Sequence, residues 1–163
     1  MELLVKKSSA PTILLAISLT AFALPARAAS SAFAGLEGAW SGSGSISLSD
    51  GSKERLRCKA NYLTREGGVR LQQTLRCASD SYRFELSSDL TSQGGALAGS
   101  WSESNRGMSG SLVGRASGGT ISAVADAPGF SANLTVSTRG DRQSFSLTSK
   151  SEIRGVHLQM SRQ

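Results

Sequence analysis

Turn-forming residues recur about every ten positions in this chain, and apolar residues alternate with polar ones between them. The turn signals are Asp50-Gly51, Gly67-Gly68, Gly94-Gly95, Arg106-Gly107, Gly118-Gly119, Pro128-Gly129 and Gly140-Asp141, with a last one near residues 151–155. Side chains of a strand point alternately to its two faces, so this alternation is typical of strands with one buried and one solvated face. No helical stripe of useful length occurs, and the pattern predicts an all-β chain.

With a further turn between Ala78 and Ser81, these signals predict ten short strands. They span approximately residues 37–49, 54–66, 69–78, 81–92, 96–105, 108–116, 120–127, 130–139, 142–150 and 155–162. Strands joined by tight turns are antiparallel, and a meander of this kind can hide its apolar face by closing on itself. We therefore predict an antiparallel up-and-down β-barrel. A two-sheet β-sandwich satisfies the same pattern and is the alternative.

The two cysteines provide an internal test of the strand register. If Gly67-Gly68 forms a two-residue hairpin loop, residues whose numbers add up to 135 face each other, and Cys58 and Cys77 satisfy this condition. Directly opposed Cβ atoms lie about 4.5–5.5 Å apart, which is close enough for a disulfide after slight adjustment. The turn and the cysteine pair therefore predict the same register and a Cys58–Cys77 disulfide.

The same register assigns an inner and an outer face to every strand. The inner face contains many small residues, so it is lean in side-chain volume. They are Gly42, Gly44, Gly99, Gly110, Gly114, Ala60, Ala123, Ala125 and Ala132. Either the barrel is flattened so that small residues pack backbone to backbone, or a cavity remains. The sequence leaves both alternatives open.

The first 28 residues have the pattern of a cleavable signal peptide. Lys6 and Lys7 precede an apolar run of 14 residues, Pro11 to Leu24, which is too short to cross a bilayer comfortably. Ala26-Arg27-Ala28 provides small residues for cleavage before Ala29. We expect residues 29–163 to form a single barrel domain, periplasmic or secreted, without a transmembrane span. An uncleaved anchor is the alternative.

The charged residues and the small number of histidines and cysteines argue against a nucleic-acid partner and against a metal ion. Residues 29–163 carry fifteen basic and eleven acidic side chains, a net charge of +4, and the basic ones occur singly among the strands. This distribution predicts no specific nucleic-acid binding and only weak attraction to anionic lipid or polysaccharide. One histidine and two cysteines, both expected in the disulfide, predict no metal site.

Two short segments resemble known barrels. The first strand contains Gly38-Ala39-Trp40-Ser41-Gly42-Ser43-Gly44, and the last contains Val156-His157-Leu158-Gln159-Met160-Ser161-Arg162. The Gly-x-Trp resembles the calycin group of lipocalins, fatty-acid-binding proteins and avidins. The longer Gly-x-Trp-x-Gly-x-Gly is similar to nitrobindins, haem-binding barrels, and that resemblance implies a haem-ligating histidine in the last segment. The middle of the chain departs from the nitrobindin pattern, and the whole resembles small secreted bacterial proteins of uncharacterised function.

His157 is the residue on which the haem hypothesis depends. The alternation places Val156 and Leu158 inside and His157 outside, which opposes a role as haem ligand. His157 is also the only imidazole available for a Ser-His-Asp arrangement, and no Gly-x-Ser-x-Gly elbow accompanies it. The sequence therefore favours a protein that is not an enzyme and holds no cofactor, with haem as the alternative.

A cavity would be lined by the inward aromatic residues of this register. The predicted lining is Trp40, Tyr62, Tyr82, Phe84, Trp101 and Phe145, with the polar residues Glu103 and Arg154. Glu103 and Arg154, with Gln73 and Gln143, would either lie in water at the rims, with a Glu103–Arg154 pair, or line a ligand-binding mouth. We expect an exported barrel that binds a small hydrophobic ligand or an envelope lipid. The alternatives are a structural or interaction protein of the cell envelope with a filled core and, third, a haem-binding barrel.

Overall fold

The computed structural model describes residues 31–163, so the expected signal peptide, residues 1–28, lies outside the described residues. The ten strands are β1 (Gly38–Leu48), β2 (Lys53–Arg65), β3 (Arg70–Ala78), β4 (Arg83–Gln93), β5 (Ala96–Glu103), β6 (Met108–Ser117), β7 (Thr120–Ala127), β8 (Phe130–Arg139), β9 (Arg142–Ser149) and β10 (Ile153–Arg162). Each pairs antiparallel with its neighbour in sequence, and β1 also pairs with β10. The closed up-and-down barrel is confirmed, and the sandwich alternative is wrong. Within residues 31–163 no helix is long and apolar enough to cross a membrane.

The disulfide and its register are also confirmed. Cys58 lies directly opposite Cys77, with their Cα atoms 4.1 Å apart and their sulfur atoms bonded. The loop of this hairpin is longer than predicted. β2 ends at Arg65, β3 begins at Arg70, and a 3-10 turn lies between them. A two-residue loop would place Val69 on the inner face with Leu71, but Val69 lies in the longer loop and is 38% exposed. A loop lengthened by one residue on each side keeps the same opposed pairs, so the register survives.

Inner-face glycines allow the barrel to curve. At each of the five predicted positions a Cβ atom would come closer than 3.0 Å to the backbone of the neighbouring strand; these are Gly42, Gly44, Gly99, Gly110 and Gly114. Glycine within a strand marks a tight bend or a close approach of another backbone. Part of the lean inner face is thus occupied by backbone, as one of the two sequence-based alternatives proposed.

A β-bulge in β10 changes the in-out order at the start of that strand. Ser47 pairs with Gly155 and Leu48 with Ile153, which leaves Arg154 without an opposite residue. One extra residue shifts the alternation by one position. As a result Ile153 faces the interior while Arg154 is exposed on the outside. The prediction that Arg154 faces the interior is wrong for this reason.

Residues 31–37 form a plug, the N-terminal plug, that closes one end of the barrel. Its side chains Phe33 and Leu36 are 1% and 0% exposed. The Ser31 hydroxyl donates to the Gly68 carbonyl, and the Gly119 N–H donates to the Ala32 carbonyl, so the plug is tied to two hairpin loops. We call this end of the barrel, where β2–β3, β4–β5, β6–β7 and β8–β9 are joined, the sealed end.

The first and last strands hold the plug in place. The Trp40 indole N–H donates to the Leu36 carbonyl at 2.8 Å. The guanidinium of Arg162 lies 4.4 Å from the centre of the Trp40 ring and donates to the Gly35 carbonyl at 2.6 Å. Its Nε also lies 3.0 Å from a carboxylate oxygen of Asp141. Trp40 is therefore a packing residue of the sealed end.

We expect Phe33→Ala to lower the free energy of unfolding by about 3–5 kcal/mol, since it removes a fully buried aromatic ring from the core. Urea unfolding followed by tryptophan fluorescence measures the change. Val113→Ala, on the outer face, is the control and should cost less than about 0.5 kcal/mol. Equal stability of the two variants would show that the plug contributes nothing to the core.

Candidate ligand-binding cavity at the open end of the barrel

The end opposite the plug, the open end, contains an apolar cavity of about 110 Å³. Here the turns β1–β2, β3–β4, β5–β6, β7–β8 and β9–β10 surround the barrel mouth. The lining residues come from eight of the ten strands and one turn, and they are Leu56, Leu75, Cys77, Phe84, Leu86, Trp101, Glu103, Arg106, Met108, Phe130, Phe145, Leu147, Ile153, Val156 and Leu158. Several of these apolar side chains are only half-buried, so the cavity reaches solvent at the mouth.

A second chamber, also about 110 Å³, continues from the cavity towards the middle of the barrel. The two chambers share Trp101, Phe145 and four aliphatic or aromatic neighbours. The second chamber has a polar patch, where the Ser88 hydroxyl donates to the Gln73 side-chain carbonyl at 3.0 Å. Because these two groups satisfy each other, the patch does not oppose an apolar occupant strongly.

Four of the eight predicted lining residues lie in the cavity wall: Phe84, Trp101, Glu103 and Phe145. Tyr82 lies at the rim, stacked on Phe84 with ring centres 6.0 Å apart. Trp40 and Tyr62 lie at the sealed end and line neither chamber. Arg154 is outside the barrel.

Tyr62 belongs to a buried polar network under the plug. Its hydroxyl donates to the Gln143 side-chain carbonyl at 2.8 Å, and the Gln143 amide donates to the Thr138 hydroxyl at 3.0 Å. Gln143 is 1% exposed, so the expectation that it lies in rim water or at a ligand mouth is wrong. Burial raises the pKa of Tyr62, which keeps the phenol neutral and able to donate. The satisfied network is structural.

Glu103 caps the turn between β5 and β6 from inside the cavity wall. It is 5% exposed, and its carboxylate accepts backbone N–H groups of Glu85, Asn105 and Arg106 at 3.0, 3.1 and 2.8 Å. Burial acts to raise the pKa of Glu103, but these donors and the Arg106 charge outweigh it and lower the pKa. The predicted pair with Arg154 is wrong, since Arg106 takes that place at 3.7 Å.

Arg106 is the charged residue of the mouth. Its guanidinium carbon lies 4.7 Å from the centre of the Phe84 ring and 5.6 Å from that of Tyr82, within the range of a cation–π contact. The Tyr82 hydroxyl in turn donates to a carboxylate oxygen of Glu152 at 2.8 Å. The rim therefore presents an aromatic pair with the Arg106 guanidinium over its rings and the Glu152 carboxylate at the Tyr82 hydroxyl.

The alternation predicts which residues face the interior, but not their height along the barrel. Alternate turns of a meander lie at the same end, so residues near the first, third, fifth, seventh and ninth turns belong together. Counting positions along each strand from those turns places Phe130 and Ile153 near one end of the barrel and Trp40 and Tyr62 near the other. Arg106 was missed because it reads as a turn residue.

The residues do not fit a haem inside this barrel. His157, the only histidine of the chain, is exposed on the outer face, where Ser45 and Ser146 are its neighbours in register. Its side chain lies across the sheet from the cavity. Each chamber is also well below the roughly 300–1,000 Å³ of pockets that hold drug-sized ligands. Among residues 31–163, no three His, Cys, Asp or Glu side chains are grouped so that they could hold a metal ion.

No protein-family model matches the chain, and no curated protein matches its sequence. Solved structures match its fold. The crystal structure of Rv2717c from M. tuberculosis aligns with a TM-score of 0.65 and 16% identity, over 81% of this chain and 95% of that one. The S-type phycobiliprotein lyase CPES from Guillardia theta aligns with a TM-score of 0.56 and 10% identity, over 80% and 90% of the two chains. Both likenesses are consistent with the calycin-like fold that the sequence predicts. At these identities the likeness shows the fold alone, and the nitrobindin-like assignment stays a prediction.

We expect Glu103→Gln to lower the free energy of unfolding at pH 7 by about 1.5–3 kcal/mol, the range for hydrogen bonds to a charged group. Because the folded pKa of Glu103 lies below the ordinary value of 4.5, the stabilisation by the carboxylate is complete above pH 4.5 and is lost as the pH falls through the lower, folded pKa. The free energies of unfolding of variant and parent should therefore become more similar as the pH falls. Urea unfolding at pH 7, 5 and 3 measures this change.

Asp126→Asn is the control for Glu103→Gln, since Asp126 is exposed on the outer face of β7. It should change the stability by less than about 0.5 kcal/mol at pH 7. A gap between Glu103→Gln and the parent that widens in acid, or no gap at pH 7, would contradict the role given to this carboxylate.

Proposed function

We propose that this protein is a non-enzymatic binding barrel that takes a small apolar ligand, or the apolar part of an envelope lipid, into its open end. The observation that carries the proposal is the difference between the two ends. The plug and the Tyr62 network fill one end, while the other holds an apolar cavity that reaches solvent. A protein with a structural core alone has no need of an apolar opening, because exposed apolar surface is costly and favours association.

The size of the cavity limits what it accepts. An apolar cavity of about 150 Å³ stays dry and binds benzene or xenon. Each chamber here, at about 110 Å³, therefore suits a single small ring or the end of an alkyl chain. The rest of a longer ligand would lie at the mouth, against half-buried side chains such as Phe84, Phe130 and Ile153.

Arg106 offers guanidinium N–H donors to the polar head of a ligand at the mouth, while its charge is balanced by the Glu103 carboxylate. The Arg106 side chain is 34% exposed and lies beside the apolar wall. An amphiphile with its tail in the cavity would bring its head close to this guanidinium. Such an arrangement combines apolar burial with a guanidinium contact at the solvent boundary, where the charge does not have to be desolvated fully.

The cavity wall supports binding better than catalysis. Glu103 already uses both carboxylate oxygens as acceptors of backbone N–H groups, so it is not free to act as a base. His157 lies on the other side of the sheet. A neighbour of the same fold is named a phycobiliprotein lyase, which is compatible with the use of such a barrel for ligand binding.

The proposed place of action is the periplasm or the outside of the cell. The disulfide Cys58–Cys77 favours an oxidising compartment. The signal peptide predicted over residues 1–28 also favours export. Envelope lipids and small apolar compounds are both available there.

The proposal is tested by filling the mouth with a bulky side chain. Val156 lines the cavity, whereas Val113 is 60% exposed on the outer face, so Val156→Trp and Val113→Trp add the same group in two places. We expect the uncharged probe N-phenyl-1-naphthylamine to bind the parent protein with increased fluorescence, its phenyl ring in the cavity and its naphthyl group at the mouth. Val156→Trp should weaken binding by about tenfold or more, equal to at least about 1.4 kcal/mol, and Val113→Trp should leave it unchanged.

Circular dichroism and the melting temperature establish that both variants are folded. Absence of probe binding to the parent, or equal binding to both variants, would overturn the proposal. A structural or interaction role with a filled core would then be favoured, in line with the buried sealed end and the modest cavity volume.

A further inference from the structure

The outer surface of β1 to β4 carries a concave region of about 1010 Å³, which we call the basic groove. Its charged residues are Arg55, Arg57, Lys59, Arg76, Arg83 and Glu85. Its floor is made of short side chains, including Ser41, Ser43 and Ala78. Long cationic side chains beside a floor of short ones explain why an outer barrel surface is concave here.

The strand register brings these cations together. Arg55, Arg57 and Lys59 are successive outward residues of β2, spaced about 6.6–6.8 Å apart along the strand. Ala78 of β3 lies between Arg57 on one side and Arg83 of β4 on the other. The five cations are scattered through residues 55–83 of the sequence and form one surface only because three adjacent strands align them.

The positive charge of the groove is poorly compensated. Arg76 pairs with Glu85 at 2.7 Å, but Arg55, Arg57, Lys59 and Arg83 have no carboxylate oxygen within 4.0 Å among residues 31–163. Five basic and one acidic side chain give the groove a net charge of +4. This equals the net charge of residues 31–163 as a whole, so the rest of the described surface is neutral on balance.

A row of serine hydroxyls runs beside the cations. Ser41 is in register with Lys59, Ser43 with Arg57 and Ser45 with Arg55, so each of the three β2 cations has a hydroxyl opposite it on β1. The serines are half-buried beneath the longer side chains. A ligand lying along this line would meet a positive charge and a hydrogen-bonding hydroxyl at every second residue.

These features distinguish between polyanions. The β1 serines are half-buried beneath the longer cationic side chains, so the headgroups of a flat bilayer surface would meet the cations and not the hydroxyl row. Single-stranded nucleic acid binds through exposed aromatic side chains on which bases stack, and the only aromatic residue of the groove, Phe84, faces the barrel cavity. A linear acidic polysaccharide needs both charge contacts and hydrogen bonds to its hydroxyl groups, and the paired rows provide both.

We propose that the basic groove binds a linear, acidic polysaccharide chain lying along β1 and β2. The anionic groups contact Arg57, Lys59 and their neighbours, while sugar hydroxyls hydrogen-bond to the β1 serines. The site lies on the opposite side of the sheet from the apolar cavity, so its occupation does not depend on the ligand of the open end.

The test uses labelled heparin, a linear polysaccharide with sulfate and carboxylate groups, and fluorescence anisotropy over a range of NaCl concentrations. The double variant Arg57→Gln/Lys59→Gln removes two groove charges. Its matched control is Arg139→Gln/Arg142→Gln, an exposed pair of opposed arginines at the β8–β9 hairpin. We expect the groove variant to bind heparin about tenfold more weakly and the control less than about twofold more weakly.

A second variant, Ser41→Ala/Ser43→Ala, tests the hydroxyl row. It should weaken heparin binding without changing the dependence of affinity on salt, since it removes no charge. Binding of N-phenyl-1-naphthylamine should be the same in all three variants, which checks that the barrel is intact and separates this site from the cavity.

Three results would overturn the proposal. One is no heparin binding by the parent at low salt, and another is an equal loss in the groove variant and its control. The third is tighter, groove-dependent binding of duplex DNA or of vesicles containing phosphatidylglycerol. Uncharged dextran should not bind, since the anionic groups provide the main attraction.

Discussion

The pairing of β1 with both β2 and β10 is the interaction on which the rest of this structure depends. It leaves the sheet without a free edge and forces one face of every strand inward. The same pairing places Trp40 beside Arg162, so closing the barrel also holds the N-terminal plug against the last strand. On the outer face it sets the serine row of β1 against the cations of β2.

Closure alone would give two similar ends, and the side chains make them different. At the sealed end, Phe33 and Leu36 complete the core, and the buried side chains of Tyr62, Gln143 and Thr138 are hydrogen-bonded to one another. At the open end the barrel interior leaves an apolar cavity, and a second chamber with one polar patch continues from it towards the middle of the barrel. The Glu103 carboxylate in the cavity wall accepts backbone N–H groups, so it does not present a free charge to the cavity.

Local rules predicted most of the fold. Turn chemistry and alternation located ten strands, and the Cys58–Cys77 pair established a register that the structure confirms. They failed where a feature depends on more than one hairpin. The bulge that turns Arg154 outward exists because β10 must match β1, which is far away in sequence. The plug has no alternating pattern by which the sequence could predict it. The burial of Gln143 follows from its position along the barrel axis, close to the sealed end.

The central claim is that the barrel is filled at one end and hollow and apolar at the other. Crystals pressurised with xenon test it directly, because xenon enters dry apolar cavities and avoids packed or polar ones. The account predicts xenon between Trp101, Phe145 and Leu158, and none around Trp40 beneath the plug. Xenon at the plug, or an interior without xenon at the open end, would contradict it.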